Sequence, residues 1–157
     1  MRSRLIPIVL ALAAASAFAF AMQTAWWTAG EVSIGPFGSR HCFGGECRET
    51  GLAWLGGSEL WLRAAVAVRA AGYISMFILV VVAGGLASGR IPRLMARASL
   101  VAILTAIASG GYFALKFPGG LSGTESVGLG LILFIGAIVV GIAAAVITLR
   151  MPDPKRA

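Results

Sequence analysis

Two cysteines and the chain's single histidine lie within the segment HCFGGECRET, residues 41–50. Thiols and an imidazole this close together can ligate a metal ion, exchange a disulfide bond or form a structural disulfide. A metal site is the least favoured, because His41, Cys42 and Cys47 supply three ligands at most. Redox catalysis ranks second, because exchange enzymes use Cys-x-x-Cys spacing and relaying electrons needs a second cysteine pair, which this sequence lacks. We therefore expect a structural disulfide between Cys42 and Cys47.

The spacing of the cysteines also predicts their geometry. Gly44-Gly45 is a favoured composition for the two-residue turn of a β-hairpin, and such a turn sets Cys42 opposite Cys47. Directly opposed residues of antiparallel strands lie within the reach of a disulfide bond. The same register sets Arg40 opposite Glu49 on the face of the cysteines. A cross-link closing so small a loop stabilises by roughly 2 kcal/mol, which suits the hairpin more than the whole protein.

Beyond this segment the composition is that of a membrane protein. Of the 157 residues, 59% are apolar and 12% are charged, far from the balance of soluble domains. Four nearly uncharged segments each reach about 18 residues, enough for a helix to cross a hydrocarbon core of about 30 Å. The predicted helices span residues 5–22, 64–87, 98–115 and 127–149. We expect an all-α membrane fold, with residues 1–157 forming one integral membrane domain built as a four-transmembrane-helix bundle.

The distribution of charge predicts the orientation of these helices. The net charge of +7 lies beside the two termini and in the connection 88–97, whereas the connections 23–63 and 116–126, counted together with Arg69, balance basic with acidic residues. By the positive-inside rule both termini and the loop 88–97 are cytoplasmic. We expect a multi-pass protein of the cytoplasmic (plasma) membrane whose two outer loops face an oxidising compartment, where cysteine pairs form disulfides. Topology accounts for the basic charge without a nucleic-acid partner.

The first apolar segment has a second interpretation. The run MRSR, the apolar stretch after it and Ala19–Ala21 have the shape of a secretory signal with a small-residue cleavage site. Cleavage would leave three spans and keep the orientation of the later helices. The sequence leaves this choice open for residues 1–21.

The first outer loop, 23–63, holds all four tryptophans of the chain. Alternating apolar and polar residues ahead of the hairpin (Val32 and Ile34) and after it (Leu52 and Trp54), together with the hairpin, predict a small extracytoplasmic antiparallel β-sheet in this loop. Tryptophan concentrated on one side of a membrane is typical of interfacial anchoring. We expect the indole rings at headgroup depth or, as the alternative, on a surface that contacts a partner protein. The four residues are Trp26, Trp27, Trp54 and Trp61.

Small residues recur four apart in two of the predicted spans. Such stripes let helix backbones approach closely, and close packing is a main source of helix association in lipid. We expect the stripes to hold the four helices together, with binding of another protein as the alternative. They comprise Ala102, Ala106 and Gly110 in the third span and Ala137, Gly141 and Ala145 in the fourth.

Arg69 is the one charge that intrudes into a predicted span. It lies six residues beyond Arg63, about 9 Å deeper along a helix. An intramembrane charge is a functional candidate by default. Arg69 is nevertheless close enough to the outer surface to extend its guanidinium to the interface or to bond the outer loop, and we expect one of these. A pump or coupled transporter is disfavoured, because the spans hold no other ionisable group of the kind an ion pathway needs.

The arrangement resembles the claudin and peripheral myelin protein superfamily of four-helix membrane proteins. The resemblance rests on an early tryptophan, a cysteine pair in a long first outer loop and an arginine near the start of the second helix. The chain has Gly-Pro-Phe where the family has Gly-Leu-Trp. The resemblance implies an outer β-sheet tied to a left-handed four-helix bundle that acts through lateral or outer-loop contacts. The matching positions are Trp26 or Trp27, Gly35-Pro36-Phe37, Cys42, Cys47 and Arg69.

These observations predict a non-enzymatic, claudin-like membrane protein that acts as a structural, adhesion or accessory subunit. We expect no catalytic residues, no metal and no cofactor. The expected partners are membrane lipid and either another membrane protein or a second copy of the chain. The first alternative is a quinone-linked membrane thiol-disulfide oxidoreductase acting through Cys42 and Cys47. The second is a small channel or carrier that depends on Arg69.

Overall fold

Four long apolar helices dominate the structure, a computed structural model that describes residues 2–118 and 125–152. Each helix is long and apolar enough to cross a membrane, so the composition predicted their number correctly. Consecutive helices are neighbours, and the first also packs against the fourth, which closes a four-membered ring. The helices are α1 Arg2–Ala21, α2 Glu59–Ala87, α3 Arg93–Leu115 and α4 Leu129–Arg150.

Helices α2 and α3 both begin earlier than the predicted residues 64 and 98. The predicted bounds were based on hydropathy, which does not detect a first helical turn made of polar residues. In α2 the hydroxyl of Ser58 accepts a hydrogen bond from the backbone N–H of Trp61, which caps the helix ahead of the apolar run. Glu59 and Arg63 then pair across the first turn. At 29 residues, α2 spans about 43 Å, longer than a hydrocarbon core of about 30 Å.

Small side chains lie between the helices, beside larger buried ones such as Phe18, Leu79 and Ile103. The six residues of the two predicted stripes are all buried, namely Ala102, Ala106, Gly110, Ala137, Gly141 and Ala145. A Cβ built on Gly141 would lie 2.9 Å from the Ile103 side chain and 3.6 Å from Cβ of Ala14. At that distance the neighbouring helix leaves no room for a side chain, so the stripe lies where helices of this chain meet each other.

A five-stranded antiparallel sheet covers one end of the bundle. We call this the sheet end; α1 and α3 end there, and α2 and α4 begin there. The strands lie in the order β4-β3-β2-β1-β5, so β4 and β5 form the edges. Their bounds are β1 Trp27–Ala29, β2 Val32–Gly35, β3 Gly38–Phe43, β4 Glu46–Thr50 and β5 Ser126–Val127. Strand β5, from the connection between α3 and α4, was not predicted. The alternation after the hairpin does not form a strand, because Ala53–Leu55 folds into a short 3-10 helix.

The predicted hairpin register is confirmed. Cys42 pairs with Cys47 and Arg40 pairs with Glu49 across β3 and β4. Gly44 and Gly45 have φ angles of 62° and 88°, the positive values that a tight two-residue turn between twisted strands requires. Glycine adopts these angles without the steric cost that a side chain would add.

Contacts between β1, β5 and the start of α4 hold the sheet to the bundle. The backbone N–H of Gly128 donates to the carbonyl oxygen of Trp26, and that of Gly130 donates to Ala25, each at 2.8 Å. The hydroxyls of Thr28 and Ser126 share a hydrogen bond of 2.7 Å. The bonds from Gly128 and Gly130 use N–H groups at the start of α4 that have no partner within the helix.

Candidate functional site

Aromatic rings fill the space between the sheet and the helix ends. Trp26 is fully buried, and its ring centroid lies 4.7 Å from that of Phe134 and 5.6 Å from that of Phe113. Trp61 stacks on Phe113 at 4.8 Å. Aromatic pairs at such distances add to the stabilisation from burial alone. This cluster joins the sheet and the four helices in one hydrophobic core.

Two indole N–H groups in this cluster bond to helix ends. Trp26 donates to the carbonyl oxygen of Ala21, the last residue of α1, at 2.9 Å. Trp61 donates to the carbonyl oxygen of Phe113, in the last turn of α3, also at 2.9 Å. Carbonyls in the last turn of a helix lack an intrahelical partner, and burial without one would be costly. The two indoles therefore supply hydrogen-bond donors to the buried ends of α1 and α3.

Three of the four tryptophans expected at the membrane interface or on a partner surface are buried inside the chain. Trp26, Trp27 and Trp61 are at most 8% exposed, and Trp27 stacks on Phe117 at 4.3 Å. The sheet and the helix ends of this chain cover their rings. Trp54 is the exposed one, at 43%.

Trp54 belongs to a surface that we call the aromatic tip, made of half-buried His41 and exposed Phe43 and Trp54. The ring centroid of His41 lies 4.8 Å from Trp54 and 6.4 Å from Phe43. The indole N–H of Trp54 donates to Oγ of Ser39 at 2.8 Å, which fixes the ring against β3. Phe43 is 62% exposed. The tip continues into β4, whose five residues are all exposed.

A polar cleft of about 450 Å³ opens where β3 and β4 approach α2 and the end of α1. We call it the arginine cleft, lined by Gln23, Phe37, Arg40, Glu49, Arg69 and Tyr73. Nη2 of Arg40 lies 2.6 Å from Oε1 of Glu49. The Arg40 guanidinium also lies 5.9 Å from the centroid of the Phe37 ring. With two arginines and one carboxylate, the lining carries an excess of one positive charge.

Arg69, predicted to be an intramembrane charge, lies near the sheet end of the bundle. A Cβ built on Gly72, one turn further along α2, would lie 2.7 Å from Sδ of Met22, just past the last residue of α1. Arg69 is therefore level with the end of α1 and faces the sheet through the cleft. Its side chain is exposed, and no hydrogen bond or ion pair holds it within residues 2–118 and 125–152. This position allows the contact with the outer loop that the sequence suggested.

The disulfide lies on the face of the hairpin that lines the cleft. Cys42 and Cys47 are bonded, with Cα atoms 4.0 Å apart. They follow Arg40 and precede Glu49 by two residues, and residues two apart in a strand share a face. The cross-link therefore holds the register that pairs Arg40 with Glu49. In the described part of the chain, no cluster of three or more histidine, cysteine or acidic residues could hold a metal ion.

Sequence reasoning identified Arg40, Glu49 and Arg69 but missed two residues that complete the cleft. Tyr73 lies four residues after Arg69, the spacing that places both on one face of α2. That spacing is visible in the sequence and could have drawn attention to Tyr73. Gln23 carries no such signal, because only the packing of α1 against α2 brings it near Arg69.

No protein-family model matches this chain, and no curated protein matches it either. The fold and the geometry of the sheet end therefore define its class. It is a four-helix protein whose helices are able to span a membrane, with a five-stranded sheet, stapled by a disulfide, at one end.

Proposed function

We propose that this protein is a non-enzymatic integral membrane protein that serves as a structural, adhesion or accessory subunit. The observation that carries the proposal is strand β4, an edge of the sheet with all five residues exposed. The free edge of a strand offers backbone N–H and C=O groups to another chain. Its partner is another membrane protein or a second copy of this chain.

The surface formed by β4 and the aromatic tip is rigid before a partner arrives. The disulfide fixes β4 on β3, and the bond from Trp54 to Ser39 fixes the tip. A rigid surface loses less conformational entropy on binding than a flexible one. Exposed Phe43 and Trp54 supply the aromatic side chains that dominate interface energetics. Glu46 and Arg48 add alternating charges that can select a partner with the complementary pattern.

The orientation proposed with this function places the sheet outside the cell and both termini in the cytoplasm. Basic residues cluster at the end opposite the sheet, where they favour the cytoplasmic side. They include Arg4, Arg90, Arg93, Arg97 and Arg150. Nη2 of Arg93 donates to the carbonyl oxygen of Met151 at 3.0 Å, which ties the start of α3 to the end of α4 there. The same orientation exposes the disulfide to an oxidising compartment.

The resemblance to the claudin and peripheral myelin protein superfamily supports the same proposal. The residues that carry it lie together at the sheet end. Trp26 is buried beneath the sheet, the Gly35-Pro36-Phe37 segment joins β2 to β3, and Arg69 faces the hairpin across the cleft. This grouping fits a protein that works through lateral and outer-surface contacts.

Site-specific photocrosslinking in native membranes tests the proposal. A photoreactive phenylalanine analogue replaces Arg48 on β4, and the matched control places it at Glu31, which is exposed on the turn between β1 and β2. We expect a discrete adduct, with one protein or with a second copy, at position 48 and none at position 31. Equal labelling at both positions, or none at 48, would contradict a docking role for β4.

The oxidoreductase alternative has a separate readout in the same membranes. Free thiols are alkylated before any reductant is added, and the intact protein is weighed. The accessory-subunit proposal expects Cys42 and Cys47 to be fully oxidised. A mixture of thiol and disulfide forms with bound quinone and no partner would favour the oxidoreductase instead.

A further inference from the structure

We propose that the arginine cleft binds the phosphate of an anionic phospholipid whose acyl chains lie along α1 and α2. Arg69 and Tyr73 of α2 would hold the phosphate, with the amide of Gln23, just past the end of α1, as a further donor. The inference requires that the helices span a bilayer, but it does not depend on partner binding by β4.

The charges in the cleft favour an anion. Arg40 and Glu49 neutralise each other at 2.6 Å, which leaves the guanidinium of Arg69 as the excess charge. A guanidinium offers a planar fork of N–H donors that matches phosphate geometry. The hydroxyl of Tyr73 and the amide of Gln23 are further donors in the lining. Together they form a donor-rich site with one net positive charge.

The depth of the cleft favours a lipid over a soluble anion. Arg69 lies about 27 Å along the axis of α2 from its last residue, close to the thickness of a hydrocarbon core. With the end of α2 at one boundary of the hydrocarbon core, Arg69 lies at the opposite boundary, where the lipid headgroups are. A lipid phosphate at this level reaches the cleft without leaving the bilayer. Arginine side chains at this depth place the stem in the apolar region and the charge at the interface.

The helix faces below the cleft are suited to acyl chains. On α2, Phe77 and Val80 follow Arg69 and Tyr73 on the same side of the helix and are 64% and 46% exposed. On α1, Phe20 precedes Gln23 by three residues and is 63% exposed. Exposed apolar side chains thus lie next to the polar cleft, on its side away from the sheet. This arrangement matches the division of a phospholipid into a polar headgroup and apolar chains.

Native mass spectrometry of the full chain released from nanodiscs tests the proposal. One set of nanodiscs contains phosphatidylglycerol in phosphatidylcholine, and the other contains phosphatidylcholine alone. The variants are Arg69→Gln and Arg69→Lys, with Arg63→Gln as the matched control, because Arg63 is an exposed arginine of the same helix that pairs with Glu59 outside the cleft. Thermal unfolding of each variant shows whether it remains folded.

We expect one phosphatidylglycerol to remain bound to the wild-type chain and to Arg63→Gln. Arg69→Gln should bind it at least about tenfold more weakly, the loss expected for one charge-assisted hydrogen bond, and Arg69→Lys should lie between them. Equal retention by Arg69→Gln, or equal binding of phosphatidylcholine, overturns the proposal. So does binding of inorganic phosphate by the detergent-solubilised protein without lipid retention, which would assign the cleft to a soluble anion. An Arg69→Gln variant that does not fold leaves Arg69→Lys against Arg63→Gln to decide in the same way.

Discussion

The indole N–H of Trp61, in the first turn of α2, donates to the carbonyl oxygen of Phe113, in the last turn of α3, at 2.9 Å. The two residues are 52 positions apart in the chain, and their rings stack at 4.8 Å. This contact joins two helices at the point where each meets the sheet end.

Replacing Trp61 by Phe should lower stability by about 1–3 kcal/mol, because a buried carbonyl loses its donor while most of the apolar ring remains. The matched control is Trp54→Phe, which removes an indole N–H from an exposed ring. We expect the control to change stability by less than about 1 kcal/mol, since the buried Oγ of Ser39 keeps its hydrogen bond of 2.7 Å with Oγ1 of Thr50. Thermal unfolding in one detergent compares the two. A larger effect at Trp54 would contradict the packing of this cluster.

The adjacent glycines Gly110 and Gly111 on α3 should respond in opposite ways to alanine. A Cβ on Gly110 would lie 2.6 Å from the ring of Phe134. Because that ring is itself packed against Trp26, it cannot move freely to make room. Overpacking of this kind costs about 1–3 kcal/mol. A Cβ on Gly111 meets nothing within 4 Å, and alanine there should stabilise the helix by up to about 1 kcal/mol. Unfolding midpoints of the two variants, measured side by side, test this. Similar midpoints would mean that α3 does not pack on α4 here.

Gly130 at the start of α4 should be equally intolerant of alanine. A Cβ there would lie 2.5 Å from the carbonyl oxygen of Thr24 and 2.7 Å from Cδ1 of Trp26. The variant should loosen the attachment of β1 to α4, and amide hydrogen exchange in 25–29 should speed up. The control is Gly136→Ala on the same helix, which meets nothing within 4 Å. Unchanged exchange in Gly130→Ala would show that this attachment is weaker than its geometry suggests.

Loss of the disulfide should affect the hairpin and spare the bundle. The double variant Cys42→Ser with Cys47→Ser should reduce hairpin stability by about 2 kcal/mol, the value for closing a short loop in the chain-entropy model. Trypsin should then cleave faster after Arg40 and Arg48, both exposed on the hairpin. Helical circular dichroism should stay the same, because no helix contains either cysteine. A parallel fall in helical signal would indicate that the hairpin stabilises the whole fold.

Much of the helical architecture could be predicted because it depends on short stretches of chain. A segment that is long and apolar enough can form a membrane-spanning helix whatever its neighbours are. The same reasoning does not detect a first helical turn made of polar residues. The predicted starts of α2 and α3 therefore fall after the observed ones, Glu59 and Arg93. The small-residue stripes indicated close helix packing, but the sequence did not say which helices meet.

The sequence by itself determined the four apolar helices and the pairing of Cys42 with Cys47, since a span needs only its own residues and the hairpin register needs only Gly44-Gly45 between two strands. Tertiary structure alone decided that Trp26 and Trp61 are buried, that Ser126 and Val127 extend the sheet, and that Gln23 and Tyr73 join Arg69 in one cleft. Hydrophobicity tells which side chains leave water. What covers them depends on contacts between residues far apart in the chain, and these exist only once the helices and sheet have packed together.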